Sequence, residues 1–167
     1  MSDKEKLNKI RLFVMDVDGT LTNGKIYMGQ DGELMKAFNA KDGYGVKLLS
    51  KNDIIPAIIT GRYSKIVENR CREIGIQELY QGIQDKDAVL TSIMEKYHLT
   101  TEQVAYIGDD LNDASAMKLS GVTFAPADCH KQLIPYVDYV LTKNGGDCAV
   151  REAVDKILSA REHVNLL

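Results

Sequence analysis

Two aspartates two residues apart, Asp16 and Asp18, follow an apolar run and stand directly before Gly19-Thr20. Side chains alternate with a period of two at the end of a strand, so both carboxylates point to the same side. Gly19 lets the chain turn sharply away from them. Like charges held together repel, and a cation or a shared proton relieves them. A second acidic group, Asp109-Asp110-Leu111-Asn112-Asp113, follows another apolar run, Val104–Gly108. Asp16, Asp18, Asp109 and Asp110, with Asp113 one turn on, make a hard, oxygen-rich site of the kind that suits Mg²⁺. Asp110 or Asn112 can also cap the helix that follows, which explains one of these residues but not the whole group.

Two further positions join them. Thr60-Gly61-Arg62 closes an apolar run with a hydroxyl and backbone N–H donors near a turn. Asp85-Lys86 opens a helix, where the helix dipole disfavours a lysine. Each pair alone is a weak signal. Their order along the chain, strand–Asp-x-Asp, strand–Thr, Lys, strand–Gly-Asp-Asp, is a much sharper one.

The elements that must position these residues read as βαβ units, because short apolar runs alternate with longer stretches of helical periodicity. Strands are expected at Arg11–Asp16, Ile54–Thr60, Glu78–Tyr80, Val104–Gly108 and Val122–Ala125, with an edge strand at Tyr139–Leu141. Helices are expected at Gly43–Asn52, Ser64–Ile74 (ended by Gly75), Asp85–Tyr97, Asp113–Ser120 and Cys148–Ala160. The carboxyl ends of parallel strands form the crevice where ligands bind, and the acidic groups and Thr60 fall at such ends. One stretch breaks the rhythm. Lys25–Met28 and Leu34–Phe38 flank Gln-Asp-Gly-Glu, so a β-hairpin is expected to be inserted at about 24–39. The tail His163–Leu167 carries no clear element, and residues 1–167 read as one α/β domain.

Composition narrows the partners. The 167 residues are 44% hydrophobic and 27% charged with a net charge of −3, as in an ordinary water-soluble globular domain. No basic block stands out, which argues against a nucleic-acid partner. No apolar run approaches the about 20 residues that span a bilayer, and the first residues lack the apolar core of a signal peptide. A cytoplasmic protein with no membrane partner is expected. Cys71, Cys129 and Cys148 are widely spaced and odd in number, which fits reduced thiols.

Asp16-Val17-Asp18-Gly19-Thr20, the threonine of Ile59-Thr60-Gly61, the lysine of Asp85-Lys86 and Gly108-Asp109-Asp110-Leu111-Asn112-Asp113 resemble, in order, the four motifs of the haloacid dehalogenase-like phosphatase superfamily. The resemblance covers nearly the whole chain. It extends to the capless subgroup through Asn39–Gly45, Ile59–Arg62, Val67–Cys71, Leu79–Gly82 and Gly145–Glu152. It implies a Rossmann-like doubly wound parallel sheet with an inserted β-hairpin and no cap domain. It also implies that Asp16 is the nucleophile, forming an aspartyl-phosphate, and that Asp18 is the acid and base. Mg²⁺ is then held by the carboxylates of Asp16 and Asp109 and the main-chain carbonyl of Asp18, while Thr60 and Lys86 hold phosphoryl oxygens. Asp110 or Asp113 orients Lys86 or a metal-bound water.

The substrate that the resemblance implies is a small phosphorylated sugar acid, 3-deoxy-D-manno-octulosonate (KDO) 8-phosphate, an intermediate of lipopolysaccharide biosynthesis. KDN 9-phosphate is the alternative, and Arg62 favours the former. Arg62 and Arg70 are the candidates for its carboxylate, with Asn39, Lys41 and Lys47 as polar company. Asp18, Asp42, Gly43, Gly61 and Lys86 complete the expected substrate set, although Asp42 can instead cap a helix beginning at Gly43. Capless members assemble as homotetramers through the hairpin, and Tyr27, Met28, Leu34, Met35 and Phe38 give this one apolar surface to bury. A phospho-accepting receiver domain has its acidic pair after the first strand and its acceptor later, the reverse of the order here. An idle assembly domain has no need of Asp16, Asp18, Lys86 and Asp109 together.

Overall fold

In the computed structural model, which describes residues 2–166, Leu12–Met15 (β1) is buried along its whole length. It pairs in parallel with Ile55–Ile59 (β4) on one side and Val104–Ile107 (β6) on the other. A strand covered on both faces has no polar side to show, which is why β1 reads as an unbroken apolar run. Glu78–Tyr80 (β5) lies outside β4, and Val122–Ala125 (β7) and then Tyr139–Val140 (β8) lie outside β6. The order β5-β4-β1-β6-β7-β8 reverses direction at β1. Such a switch point opens a crevice at the carboxyl ends of the strands, and Asp16 stands there.

Two helical layers cover the sheet. Asp3–Asn8 (α1), Ala40–Lys51 (α2), Lys65–Ile74 (α3) and Ala149–Ser159 (α6) pack on one face, where Phe13 and Met15 meet Val46, Leu49, Val67 and Val154. Lys86–Lys96 (α4) and Ala114–Met117 (α5) cover the other, where Leu12 and Val14 meet Leu90, Ile93 and Met117. Each such side chain, fully buried, contributes about 1.5–3 kcal/mol. The expected doubly wound α/β sheet is the observed one. Between β1 and α2 the chain carries only the hairpin Tyr27–Gly29 (β2) and Gly32–Met35 (β3), and the described residues contain no cap domain.

Several boundaries differ from expectation. Helix α2 starts at Ala40 rather than Gly43, because the Asn39 side chain accepts from the Lys41 amide at 2.8 Å and caps it. Asp42 therefore lies inside the first turn and does not cap. The element expected at Asp113–Ser120 is a 3₁₀ turn, Leu111–Asp113, followed by the short α5. Its start is tightened because the Asp113 carboxylate folds back onto the amides of Asp109 and Asp110. The hairpin turn is tighter than expected, with Gln30-Asp31 between the strands and Gly32 at φ +121°. Helix α1 was not expected, yet its signal, Ser2 followed by Glu5 as a capping box, stands in the sequence. A 3₁₀ turn at Lys131–Tyr136 was not expected either. Gly75 ends α3 in the left-handed region as anticipated. Cys71, Cys129 and Cys148 are free, and residues 163–166 form no helix or strand, with Leu167 outside the described residues.

Candidate active site

The sheet itself aims the chemistry. The Asp16 amide donates to the Ile107 carbonyl at 3.0 Å, the Thr60 amide to Tyr80 at 3.0 Å and the Gly108 amide to Phe124 at 3.3 Å. Three neighbouring strands are thereby held in register up to the residues that follow them. Asp16, Asp18, Thr60, Gly61 and Arg62 line an open cleft of about 340 Å³, with Asp109, Asp110 and Asn112 on the β6 side.

Lys86 enters from the first position of α4, where the helix dipole repels it, and is held by carboxylates instead. Its Nζ lies 2.9 Å from Asp16 Oδ1 and 2.7 Å from Asp113 Oδ1, with the side chain 1% exposed. Burial works against its charge, but the charges of Asp16 and Asp113 outweigh it and hold its pKa above the ordinary lysine value. Asp113 is wholly buried. Its Oδ1 also accepts from the Tyr106 hydroxyl at 2.8 Å, and its Oδ2 accepts from the amides of Asp109 and Asp110 at 3.0 and 3.3 Å. Asp110 has a different task, capping the 3₁₀ turn by accepting from the Leu111 amide at 2.7 Å. Of the two, Asp113 therefore orients Lys86. Tyr106 is a site residue the sequence did not single out, although it carries the one side-chain polar atom of β6. Burial and the charge of Asp113 push its hydroxyl well above the ordinary tyrosine range, so it stays a donor.

Oxygens of Asp16, Asp109 and Asp113 come within 4.8 Å of one another. Both Asp113 oxygens are already engaged, which leaves Asp16 and Asp109. Burial and the charge of Asp113 push Asp16 up to about 6, against the pull of Lys86. Burial, with the charges of Asp16 and Asp113, pushes Asp109 up to about 8. A hard divalent cation between them answers this shortage of positive charge, so the residues fit Mg²⁺. Asp18 was expected to offer the metal only its main-chain carbonyl, and its carboxylate is engaged elsewhere, 2.5 Å from Lys36 Nζ.

These shifts have a sign. Asp16 and Asp109 keep their protons to higher pH in the folded chain than in the unfolded one. The metal-free protein therefore loses stability as pH rises from about 4 through about 8, and a bound cation restores it. With Mg²⁺ at 100 times its Kd, Tm is expected to rise by about 5–10 °C, from about 2.7 kcal/mol of linkage. At one fixed Mg²⁺ concentration the rise should be larger at pH 8 than at pH 6, because Kd falls as the two carboxyls ionise, and thermal melts in EDTA and in Mg²⁺ check it. An increment independent of pH contradicts the assignment of Asp16 and Asp109 as ligands.

Gly19 makes the Asp109 position possible. Its φ is +91°, and a Cβ there would stand 2.0 Å from Asp109 Oδ2. Gly19→Ala is expected to displace the carboxylate and weaken Mg²⁺ by roughly 10–100-fold, read from the Mg²⁺ dependence of phosphate release. An unchanged dependence counts against Asp109 as a ligand.

A strand-end carboxylate, a strand-end threonine, a buried lysine and a second acidic strand end thus converge on one cleft. Residues 73–153 match the family model described as haloacid dehalogenase-like hydrolase. The chain is 49% identical over 156 residues to the 3-deoxy-D-manno-octulosonate 8-phosphate phosphatase of Escherichia coli K12, covering 93% of this chain and 83% of that protein. It belongs to the haloacid dehalogenase-like hydrolases. A crystal structure of the Yersinia pestis 3-deoxy-D-manno-octulosonate 8-phosphate phosphatase superposes with a TM-score of 0.94 at 44% identity, over 100% of this chain and 93% of that one. The Moraxella catarrhalis phosphatase of the same name, solved in complex with magnesium, phosphate and KDO, gives 0.91 at 40% identity, over 95% and 91%.

The residues expected to hold the phosphoryl group thus meet around one cleft, but the expected sugar-acid set does not. Of that set, Arg62 and Gly61 line the cleft with Asp18. Asn39, Asp42, Gly43 and Arg70 surround a separate crevice of about 10 Å³ between α2 and α3. The structure gives them structural partners. Asp42 is buried and accepts from the Arg151 amide at 2.8 Å, tying α2 to α6. Arg70 donates to the Asn39 carbonyl at 3.2 Å and to Glu73 at 2.9 Å, and its guanidinium stacks on Phe38. Gly43 leaves room for that guanidinium, since a Cβ would lie 2.3 Å from Arg70 Nη2. Lys41 and Lys47 are exposed on α2.

Proposed function

We propose that this chain is a magnesium-dependent phosphoric monoester hydrolase that converts 3-deoxy-D-manno-octulosonate 8-phosphate and water into the free sugar acid and phosphate. The observation that carries the reading is the Asp16 carboxylate at the sheet's switch point, bonded to Lys86 and flanked by Thr60 and Asp109, in a chain 49% identical to a phosphatase of that name. Asp16 attacks phosphorus in line, the bond to the sugar oxygen breaks, and that oxygen takes a proton from Asp18. An aspartyl-phosphate on Asp16 results, which divides one hard step into two easier ones. Water then attacks phosphorus, Asp18 takes its proton, and phosphate leaves with Asp16 restored. Lys86, Thr60 and the backbone at Gly61 hold the transferring oxygens. Asp16, Asp109 and the Asp18 carbonyl would hold Mg²⁺, which would supply positive charge that offsets the repulsion between nucleophile and phosphate. Arg62, half exposed at the cleft, is placed to meet the sugar acid's carboxylate.

The same reading makes residues 1–167 one catalytic domain, working in the cytoplasm in lipopolysaccharide biosynthesis. In support, no helix among the described residues is long and apolar enough to cross a membrane. A homotetramer joined through the hairpin is supported by its exposed Met28, Leu34 and Met35. Asn39, Lys41, Lys47 and Arg70 do not line the cleft of their own chain. Phosphate release from KDO 8-phosphate, KDN 9-phosphate and common sugar phosphates, in Mg²⁺ and in EDTA, tests the reading. Metal-dependent preference for KDO 8-phosphate is expected. Preference for KDN 9-phosphate overturns the use of Arg62, and no release from any substrate overturns the enzyme assignment.

A further inference from the structure

Lys36 lies just past β3, outside every motif of the reaction, yet its side chain is 1% exposed. A lysine is almost never buried so deeply unless it is paired, and this one has two carboxylates. Its Nζ stands 2.5 Å from Asp18 Oδ1 and 2.8 Å from Glu33 Oε1. Glu33 in turn accepts from the Ser64 hydroxyl, just beyond Thr60-Gly61-Arg62. Arg62 Nε lies 3.6 Å from the other Asp18 oxygen, Oδ2. The hairpin is thus latched to two of the three chain segments that form the cleft. A charge-assisted bond between side chains 1% and 19% exposed fixes a rotamer, as an exposed surface pair does not.

We propose that Lys36 is a positioning residue for Asp18. By occupying Oδ1 it turns Oδ2 toward the cleft, where Oδ2 gives its proton to the departing sugar oxygen and later takes one from the attacking water. This inference rests on the phosphatase reading and deepens it. Lys36 itself touches no reacting atom. The hairpin, beyond any part in assembly, then sets the geometry of proton transfer.

Leaving-group dependence separates this role from a merely structural one. The alkoxide departing from KDO 8-phosphate needs a proton, whereas the nitrophenolate departing from p-nitrophenyl phosphate does not. Values of kcat/KM for both substrates cover only the steps through formation of the aspartyl-phosphate. Lys36→Met is expected to lose roughly 10–100-fold on KDO 8-phosphate and at most about 3-fold on p-nitrophenyl phosphate. Lys36→Arg should recover part of the loss. If Lys36→Met does not fold in thermal melts, Glu33→Gln, which weakens the second hold on Lys36, is expected to lose more on KDO 8-phosphate than on p-nitrophenyl phosphate. Equal losses on the two substrates, or none on KDO 8-phosphate, overturn the proposal. A wild-type protein inactive on both would instead sink the phosphatase reading, and this inference with it.

Discussion

Asp16→Asn is expected to fold, to release no phosphate above background, and to be more heat-stable than the wild type in EDTA at pH 8. The first result follows from chemistry. The amide keeps the size and buried position of the carboxylate but cannot attack phosphorus, so a loss of about 10⁴-fold or more is expected. The second follows from electrostatics. Burial and Asp113 push the Asp16 carboxyl up to about 6, so at pH 8 the folded chain carries an ionised group it disfavours relative to the unfolded chain. Removing that charge should raise Tm by a few degrees and shrink the further gain from Mg²⁺, at about 2–4 °C per kcal/mol for a chain of this size. A lower Tm means that the attraction of Lys86 outweighs the cost of burial, contrary to the account given for the site.

Lys86→Met should act in the opposite direction on stability while also abolishing useful activity. Methionine fills much of the lysine volume but leaves Asp16 and Asp113 buried without the cation 2.9 and 2.7 Å from their oxygens. Breaking such a pair from one side costs about 3–5 kcal/mol, which corresponds to a fall of about 10 °C in Tm. Loss of a phosphoryl-oxygen donor removes roughly 10²–10³-fold in kcat, and the displaced Asp16 adds to it. The stability deficit should be smaller at pH 5.5 than at pH 8, because Asp16, with its carboxyl near 6, then carries a proton for much of the time. Melting curves at the two pH values check this. A deficit that does not change with pH indicates lost packing rather than stranded charge.

What could be read in the sequence follows from where the forces are local. Strands β1, β4 and β6 were legible because burial on both faces forces unbroken apolar runs, and the residues that end them inherit the crevice. Asp16, Thr60 and Asp109 stand at the crevice for that reason, whereas Lys86 reaches it from the first turn of α4. The separation of Asp110 from Asp113 was not legible, since it depends on one carboxylate folding back beneath its own turn to reach Tyr106 and Lys86. Lys36 and Glu33 were invisible for a related reason. Both sit on a hairpin with exposed apolar residues, and only the way that hairpin lies against Asp18 and Ser64 reveals them. Asp42 points the other way. A carboxylate near a helix start reads as a cap or a ligand, whereas long-range packing against α6 gives it the Arg151 amide.

The most direct test of the central claim is a rapid-quench turnover of KDO 8-phosphate labelled in its phosphoryl group, with Mg²⁺ and enzyme in excess. The account predicts transient label on the protein, stable to acid and lost to hydroxylamine, mapping to the peptide that holds Asp16 and absent in EDTA and in Asp16→Asn. Phosphate formed at full rate with no label ever on the protein contradicts it, because water would then attack the substrate directly and Asp16 would not be the phosphoryl acceptor.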